Sequence, residues 1–333
     1  MDPVDALNEI GYWLERDLAS PYKTKAFRGA ALALAGLPAP ERAAREKSGS
    51  WTGIKGIGGS SADVIREAVA GGIPERLALL RDSLPLAKSG GDLRAQLRGD
   101  LHSHSDWSDG TTSIGLMADT ARWLGHEYLV LTDHSPHLKV ANGLTPERLR
   151  TQLDEVHAYR ADGFRLLAGI EVDILDDGSL DQVPELLDRL DVVVASVHSK
   201  LKMDRAEMTE RMLAAIRDPH TNVLGHCTGR LVEGSRGTRG QSHFDAKRVF
   251  EECAARDVAV EINSRPERQD PPDDLITIAL DAGCLFSIDS DAHAPGQLGF
   301  LDYGAERAAA NGVPAERIVT TWPVERLLEW AGN

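Results

Sequence analysis

Over residues 98–333, short apolar runs alternate with amphipathic helical stretches, and this alternation restricts the possible folds more than any other feature of the sequence. Buried parallel strands followed by helices produce such a pattern. Seven strand–helix units favour a closed β/α barrel over an open sheet. The first run is not followed by Gly-x-Gly-x-x-Gly, which argues against a dinucleotide-binding fold and a nucleotide cofactor. The predicted strands are residues 100–101, 128–132, 166–170, 192–197, 222–224, 258–262 and 285–288, and the predicted helices include 145–161, 205–217, 244–255 and 273–282.

Residues 1–82 carry a different pattern and predict a separate all-helical domain, because apolar residues recur there at helical spacing. The segment Gly56-Ile57-Gly58 predicts a tight turn between two short helices. Ser60 or Ser61 is expected to cap the second of these helices. Residues 83–97 are rich in glycine and contain a proline, and are predicted to be a linker.

Composition limits the compartment and the partners. The net charge is −15, and all of it falls after residue 90, so the second domain is a poor non-specific binder of nucleic acid. The three cysteines are far apart and form no Cys-x-x-Cys pair, which fits a reducing compartment. No apolar run approaches the ~20 residues that span a bilayer, and the N-terminus does not resemble a signal peptide. We therefore expect a cytoplasmic protein without a membrane partner.

Histidine and acidic side chains stand at, or just after, successive predicted strands. Because the carboxyl ends of the strands form one face of a β/α barrel, these side chains are expected to converge at one mouth. A purely structural explanation would require nine coincidences. Of the remaining histidines, only His137 is close enough to the mouth to line it. The nine residues are His102, His104, Asp109, His134, Glu171, His198, His226, Asp291 and His293.

The residue types in this set are those of a divalent metal centre. Neutral imidazole and carboxylate suit Zn²⁺, Mn²⁺ or Fe²⁺ without any thiolate. His102 and His104 face the same side of an extended segment and can chelate one ion, and Asp291 and His293 repeat this spacing. The carboxylate of Glu171 can bridge two ions. Ions roughly 3.5–4 Å apart can share a hydroxide for in-line attack on phosphorus, which predicts a metal-dependent hydrolase of phosphate esters.

Seven motifs in order resemble those of the PHP (polymerase and histidinol phosphatase) family of phosphoesterases. The resemblance covers residues 98–333 and is greatest to the PHP domain of bacterial family X DNA polymerases. It implies a distorted (β/α)7 barrel. The motifs are DLHSHSDWSDG (100–110), TDHS (132–135), GIEVDIL (169–175), SVHSK (196–200), GHCTGR (225–230), EINS (261–264) and SIDSDAH (287–293).

The resemblance also implies how the nine residues divide among three divalent ions, which are expected to be Zn, Mn or Fe, with Mn supporting activity. It implies that Glu171 bridges the first two ions and holds between them the hydroxide that attacks phosphorus. The first ion would be held by His102, His104, Glu171 and Asp291, the second by Glu171, His198 and His226, and the third by Asp109, His134 and His293.

Further residues are candidates for roles around the cluster. Three cations follow predicted strands and could neutralise charge on phosphoryl oxygens, although each is equally consistent with an ordinary surface charge. Three other side chains could line the pocket or orient the ligands from behind. The cations are Lys200, Arg230 and Arg265, and the pocket candidates are Asp173, Asn263 and His137.

The segments 21–37 and 53–77 resemble the small helical domain, with its helix-hairpin-helix, that opens family X polymerases. That likeness implies DNA phosphate binding at Gly56, Gly58 and Ser60, through backbone N–H groups that do not distinguish sequence. A docking or dimerisation module is the alternative. The polymerase fingers, palm and thumb are missing, so polymerase activity is not expected. Val64 stands where lyase-active relatives carry a lysine, so lyase activity is not expected either.

Three functions remain open from the sequence. The first is a phosphodiesterase that degrades DNA from a 3′ end, as the helical domain and the polymerase-type motifs suggest. The second is a phosphomonoesterase for a small metabolite, of the histidinol-phosphate-phosphatase type, which the acidic charge favours. The third is a non-catalytic DNA-binding scaffold, which would not need nine metal ligands.

Overall fold

The computed structural model describes residues 1–84, 91–234 and 237–332, and it divides into two compact units, Met1–Lys88 and Ser89–Asn333. In these ranges, no helix is both long and apolar enough to cross a lipid bilayer.

The first unit is all-helical, as the apolar spacing predicts. Its core is formed by α1 (Pro3–Arg16) packing against α2 (Pro21–Ala35), α4 (Gly59–Val69) and α5 (Glu75–Ser83), with Leu7 and Ile65 fully buried. Arg28 and Glu15 form a buried two-pronged ion pair, with nitrogen–oxygen distances of 2.7 and 2.9 Å, that ties α2 to α1. The helices of this unit are α1 (Pro3–Arg16), α2 (Pro21–Ala35), α3 (Ala39–Ser48), α4 (Gly59–Val69) and α5 (Glu75–Ser83).

The predicted serine cap of α4 is wrong. The helix begins at Gly59, with Gly58 as its N-cap in an extended conformation and without any side-chain cap bond. Ser60 and Ser61 therefore lie inside the first turn. Glycine accepts the cap conformation without a side chain, which allows the helix to start earlier than the serines suggested.

The second unit is a nearly closed barrel of seven parallel strands, in the order β1-β2-β3-β4-β5-β6-β7. At least one helix follows each strand, which confirms the predicted β/α alternation. Ser103 and Ala292 form a parallel bridge just beyond the ends of the first strand (Gly99–Asp100) and the last strand (Phe286–Asp289), at the closing edge. The strands are β1 (Gly99–Asp100), β2 (Tyr128–Leu131), β3 (Arg165–Asp173), β4 (Val192–Ser196), β5 (Val223–Leu224), β6 (Ala259–Asn263) and β7 (Phe286–Asp289). The helices are α6 (Gly91–Gln96), α7 (Ile114–Trp123), α8 (Pro146–Ala158), α9 (Pro184–Leu187), α10 (Arg205–Arg217), α11 (Ala246–Ala255), α12 (Asp273–Ala282), α13 (Leu301–Ala310) and α14 (Val324–Ala331).

Successive residues of the strands belong to two different apolar clusters, because their side chains point to opposite faces. Val193 of β4 packs in the larger cluster with the surrounding helices, whereas Val194 packs in a smaller cluster that includes Leu327 of α14. The hydroxyl of Tyr128, at the start of β2, donates to the carbonyl oxygen of Trp322 over 3.2 Å. The C-terminal segment thus packs near the strand beginnings and leaves the opposite strand ends for the polar residues.

The predicted linker over residues 83–97 contains a helix. Residues 91–96 form α6, and Arg94 in this helix bonds Asp302 over 2.7 Å within the second unit. Residues 85–90 lie outside the described part of the chain. Six residues are too few to show a helical period, so the sequence pattern did not reveal α6.

The buried side chain of His126 is expected to make the free energy of unfolding sensitive to acid. It is buried, and burial together with the charge of Arg94 lowers its pKa to about 3. The unfolded chain takes up this proton near pH 6.5, so stability is complete above that pH and falls as the pH drops towards 3. Urea unfolding of wild type and His126→Leu at pH 7 and pH 5 should show that the variant loses about 2 kcal/mol less across this interval. Equal losses in the two proteins would contradict this assignment.

Candidate metal centre

The strand ends bring all nine predicted metal-binding residues to one mouth of the barrel. The short polar loops place their histidines directly after buried strands, so the rings point into the mouth rather than along the surface. Glu171 differs slightly from expectation, since it lies inside β3, two residues before the strand ends. His102, His104 and Asp109 follow β1, His134 follows β2, His198 follows β4, His226 follows β5, and Asp291 and His293 follow β7.

Glu171 lies at the centre of the cluster, and its two carboxylate oxygens face different histidines. Oε2 is 3.3 Å from His102 Nε2 and 3.7 Å from His104 Nε2. Oε1 is 3.2 Å from His198 Nε2 and 2.9 Å from His226 Nε2. This is the arrangement that a carboxylate needs in order to bridge two ions.

A second carboxylate, that of Asp291, completes the group around the paired histidines. Its Oδ1 lies 3.4 Å from His104 Nε2 and 4.0 Å from His102 Nε2. Both Asp291 and Glu171 are almost fully buried. The two carboxylates and two imidazoles therefore surround one point in the interior of the mouth.

A more exposed group lies at the rim. Asp109 Oδ1 is 3.5 Å from His134 Nε2 and 3.3 Å from His293 Nε2. His104 also falls within this group, and His134 also presents Nδ1 to Glu171 Oε2 over 2.8 Å. The geometry therefore offers His104 and His134 to more than one ion, which the simple threefold division does not anticipate.

Several ligand atoms in the mouth are buried without a hydrogen-bond partner among the described residues. They include both oxygens of Glu171, Nε2 of His102 and Nε2 of His198. A buried polar atom left without a partner costs free energy of roughly 1–3 kcal/mol. Divalent cations would satisfy these atoms together, so the donor set fits a metal cluster.

The electrostatics of the mouth favour the metal-binding protonation state for some ligands and oppose it for others. Burial would raise the pKa of Glu171, but the imidazoles of His102 and His198 hold that pKa well below its usual range. Burial and the neighbouring ring of His293 lower the pKa of His104 well below its usual value. Glu171 is thus an anion and His104 a neutral imidazole. Although burial opposes it, Glu171 raises the pKa of His198 to about 9, so metal binding there displaces a proton.

Two imidazoles of the cluster are oriented from behind by carboxylates. Nδ1 of His102 lies 2.6 Å from Glu261 Oε1, and Nδ1 of His198 contacts Asp173 Oδ1. With the ring proton on Nδ1, each Nε2 keeps its lone pair for an ion. Asp173 was among the sequence candidates, whereas Glu261 was missed. The Glu261-x-Asn263 spacing on β6 could have revealed it, because residues two apart share a face.

The three predicted cations have different surroundings. Arg265 contacts the cluster, since its Nη1 donates to the carbonyl oxygen of Asp291 over 2.9 Å and lies 3.1 Å from Nδ1 of His293. Lys200 is exposed and pairs with Asp176. Arg230 donates to the carbonyl oxygen of Gln269 over 2.9 Å.

The remaining sequence candidates divide between the mouth and the surface. Asn263 Nδ2 donates to Asp291 Oδ2 over 3.2 Å, which places it in the mouth. His137 is exposed, and its backbone N–H bonds Asp181. In the first unit, Gly56, Gly58 and Ser60 are exposed around the start of α4. Gly56 has φ +96°, which favours glycine at this turn.

Comparison with known proteins agrees with this geometry. Residues 100–265, which include seven of the nine cluster residues, match the model of the PHP domain family. This part of the chain is a PHP domain. The expected resemblance to the PHP family is therefore confirmed.

Two curated relatives differ in length. The DNA polymerase/3'-5' exonuclease PolX of Bacillus subtilis (strain 168) is 39% identical over 214 residues, which cover 64% of this chain and 36% of that protein. The chain thus spans about a third of the length of this relative. The protein named Probable phosphatase YcdX of Escherichia coli (strain K12) is 28% identical over 243 residues, which cover 69% of this chain and 92% of that protein.

A solved structure to which the chain is similar is that of histidinol phosphate phosphatase (HISK) from Lactococcus lactis subsp. lactis Il1403, complexed with Zn, L-histidinol and phosphate. It matches with a TM-score of 0.43 and 17% sequence identity, over 71% of this chain and 94% of that one.

Proposed function

We propose that this protein hydrolyses phosphodiester bonds of DNA, from a 3′ end, with a cluster of divalent metal ions in the PHP domain. The observation that carries the chemistry is Glu171, whose two oxygens face separate groups of imidazoles. The choice of DNA is supported by the helical first unit and by the exonuclease relative, which is 39% identical in the matched region.

Irrespective of its substrate, the chain is a metal-dependent hydrolase of phosphate esters. The PHP domain, the phosphatase relative and the buried ligand cluster all support this reaction class. Polymerase activity is not part of the proposal.

The proposed ions are three, and Zn²⁺, Mn²⁺ or Fe²⁺ suit the imidazole and carboxylate donors. When bound, they would supply an activated water and neutralise charge on the phosphoryl oxygens. The ligands we propose are His102, His104, Glu171 and Asp291 for the first, Glu171, His198 and His226 for the second, and Asp109, His134 and His293 for the third.

The side chains around these ligands perform three tasks in this proposal. Glu261 and Asp173 hold the ring protons of His102 and His198 at Nδ1, which keeps each Nε2 turned to Glu171. Arg265 stands beside His293 and pairs with Glu267 over 2.8 Å, and in this proposal its positive charge offsets the negative charge of a phosphoryl oxygen at the rim. Burial of Glu171 excludes bulk water and strengthens the electrostatic interactions around it.

The test compares substrates under one condition. Mn²⁺-loaded protein is incubated with 5′-labelled single-stranded and duplex DNA, and in parallel with histidinol phosphate and p-nitrophenyl phosphate. We expect stepwise shortening of the DNA that His104→Ala abolishes. Intact DNA beside rapid phosphate release from the small esters would overturn the DNA assignment while keeping the reaction class.

A small-molecule phosphomonoesterase is the second candidate, and the net charge of −15 favours it, because an acidic surface repels the DNA backbone. The same metal chemistry would serve both substrates. In that case, kcat/KM for a small ester should exceed that for DNA, and raising the salt concentration should change it little.

The third ion is expected to be the most easily removed. The Asp109 side chain is 37% exposed and that of His293 is 21% exposed, whereas Glu171 is 0% exposed. Solvent competes with exposed ligands and screens their charge, so this ion should bind more weakly. Elemental analysis during graded EDTA treatment should show about one ion per chain leaving before the other two. Simultaneous loss of all three would contradict this ranking.

A further inference from the structure

We propose that Arg268 is a positioning residue of the metal centre, which fixes the Asp291 carboxylate so that only one of its oxygens faces the histidines. The inference rests on the proposed metal cluster and adds a residue that the sequence reasoning did not identify. It follows from the backbone of Asp291, from the partners of its two oxygens and from the burial of Arg268.

The backbone of Asp291 is held in an uncommon conformation. Its φ is +51°, in the left-handed region that residues other than glycine seldom adopt, although aspartate tolerates it better than most. Such a conformation costs on the order of 1–3 kcal/mol and persists only where the surroundings enforce it. Arg265 contributes to this by donating Nη1 to the Asp291 carbonyl oxygen over 2.9 Å.

The two oxygens of Asp291 have different tasks. Oδ2 accepts from Arg268 Nε over 3.0 Å and from Asn263 Nδ2 over 3.2 Å. Oδ1 faces His104 Nε2 over 3.4 Å. Because two donors occupy Oδ2, the carboxylate cannot rotate to present both oxygens to an ion. In this proposal, Asp291 is therefore a monodentate ligand that binds an ion through Oδ1.

Arg268 is itself built into the interior. Its side chain is only 9% exposed, and a buried cation is tolerable only beside an anion. Its backbone carbonyl accepts from Arg230 Nε over 3.2 Å, which anchors the turn that carries it. Arg268 thus reaches the metal centre through Asp291 and is shielded from the solvent through which a substrate arrives. Arg265 is buried to a similar extent, at 10% exposed, but it differs from Arg268 in contacting the rim histidine His293 directly.

The experiment measures metal affinity in Arg268→Met, Arg268→Lys and a control, Arg307→Met. Arg307 is a partly buried arginine that pairs with Asp273 over 2.7 Å. Its replacement therefore measures how the loss of a paired arginine away from the metal centre affects stability and metal binding. Competition with a chromophoric chelator for Zn²⁺ and Mn²⁺ gives the dissociation constants, and thermal unfolding gives stability. Steady-state kinetics at saturating metal then separate kcat from KM.

We expect Arg268→Met to weaken binding of the tighter ions by roughly 10- to 100-fold, as loss of a group that orients a ligand does. Arg268→Lys should recover part of this affinity, because an ammonium can still donate to Oδ2. At saturating metal, kcat should fall while KM stays near the wild-type value. Arg307→Met should leave the dissociation constants unchanged.

Wild-type metal affinity in Arg268→Met and in Arg268→Lys would overturn the inference, whatever the change in stability. If Arg268→Met does not fold, Asn263→Ala removes the other donor to Oδ2 and should weaken metal binding in the same direction. Unchanged affinity in Asn263→Ala and Arg268→Lys together would again overturn it. Wild-type protein that binds no metal would overturn the metal centre itself, which is a separate result.

Discussion

Replacing Glu171 by glutamine is expected to lower kcat/KM for phosphate-ester hydrolysis by about a thousandfold or more and to reduce the bound metal. The amide keeps the size of the side chain but has one oxygen and no charge. The amide oxygen can therefore face only one of the two groups of histidines that the carboxylate faces. The NH₂ group, which is a donor and no ligand for a cation, would point to the ion at the other group. Loss of metal catalysis on this scale corresponds to several kcal/mol of transition-state stabilisation.

Elemental analysis and hydrolysis of the preferred ester test this directly. Glu185→Gln, an exposed glutamate in α9, makes the same chemical change away from the mouth and should retain full activity and metal content. Circular dichroism of both variants checks that the barrel is intact. Full activity with unchanged metal in Glu171→Gln would eliminate the bridging role.

The barrel and the convergence of the nine candidate residues at one mouth were predictable because two simple rules apply to this chain. Buried parallel strands give recognisable apolar runs, and their carboxyl ends must meet at one face. Side chains such as those of His102 and Asp291, which stand two residues after a strand ends, have little freedom to leave that face. Their convergence therefore follows from chain topology alone.

Long side chains and chain boundaries were less predictable. Lys200 and Arg265 both follow strands, yet Lys200 pairs with Asp176 at the surface while Arg265 turns into the mouth. Partners distant in sequence decide these directions, and the local pattern contains no information about them. Arg268 was missed for the same reason. The start of α4 and the existence of α6 depend on backbone conformation over a few residues, too short a length for periodicity.

Replacing Glu261 by glutamine is expected to have the second large effect, because both oxygens of the Glu261 carboxylate accept hydrogen bonds. Oε1 accepts from Nδ1 of His102, while Oε2 accepts from the backbone N–H of His226 and lies 3.2 Å from Nδ2 of Asn263. These hydrogen-bond partners of the buried carboxylate are all donors. A glutamine in its place must turn its NH₂ towards one of them, which leaves a buried donor without a partner at a cost of roughly 1–3 kcal/mol.

Glu261→Gln is therefore expected to weaken metal binding by about 10- to 100-fold, mainly at the ion that His102 would hold. The variant loses the negative charge behind the imidazole, and the ring is free to place its proton on Nε2, where an ion must bind. Chelator competition at constant pH measures the change. Asp173→Asn is the matched comparison, because Asp173 contacts His198 in the same way and should affect the second ion instead. If both variants kept wild-type dissociation constants, the carboxylates would serve folding alone, and the histidines would be oriented by packing.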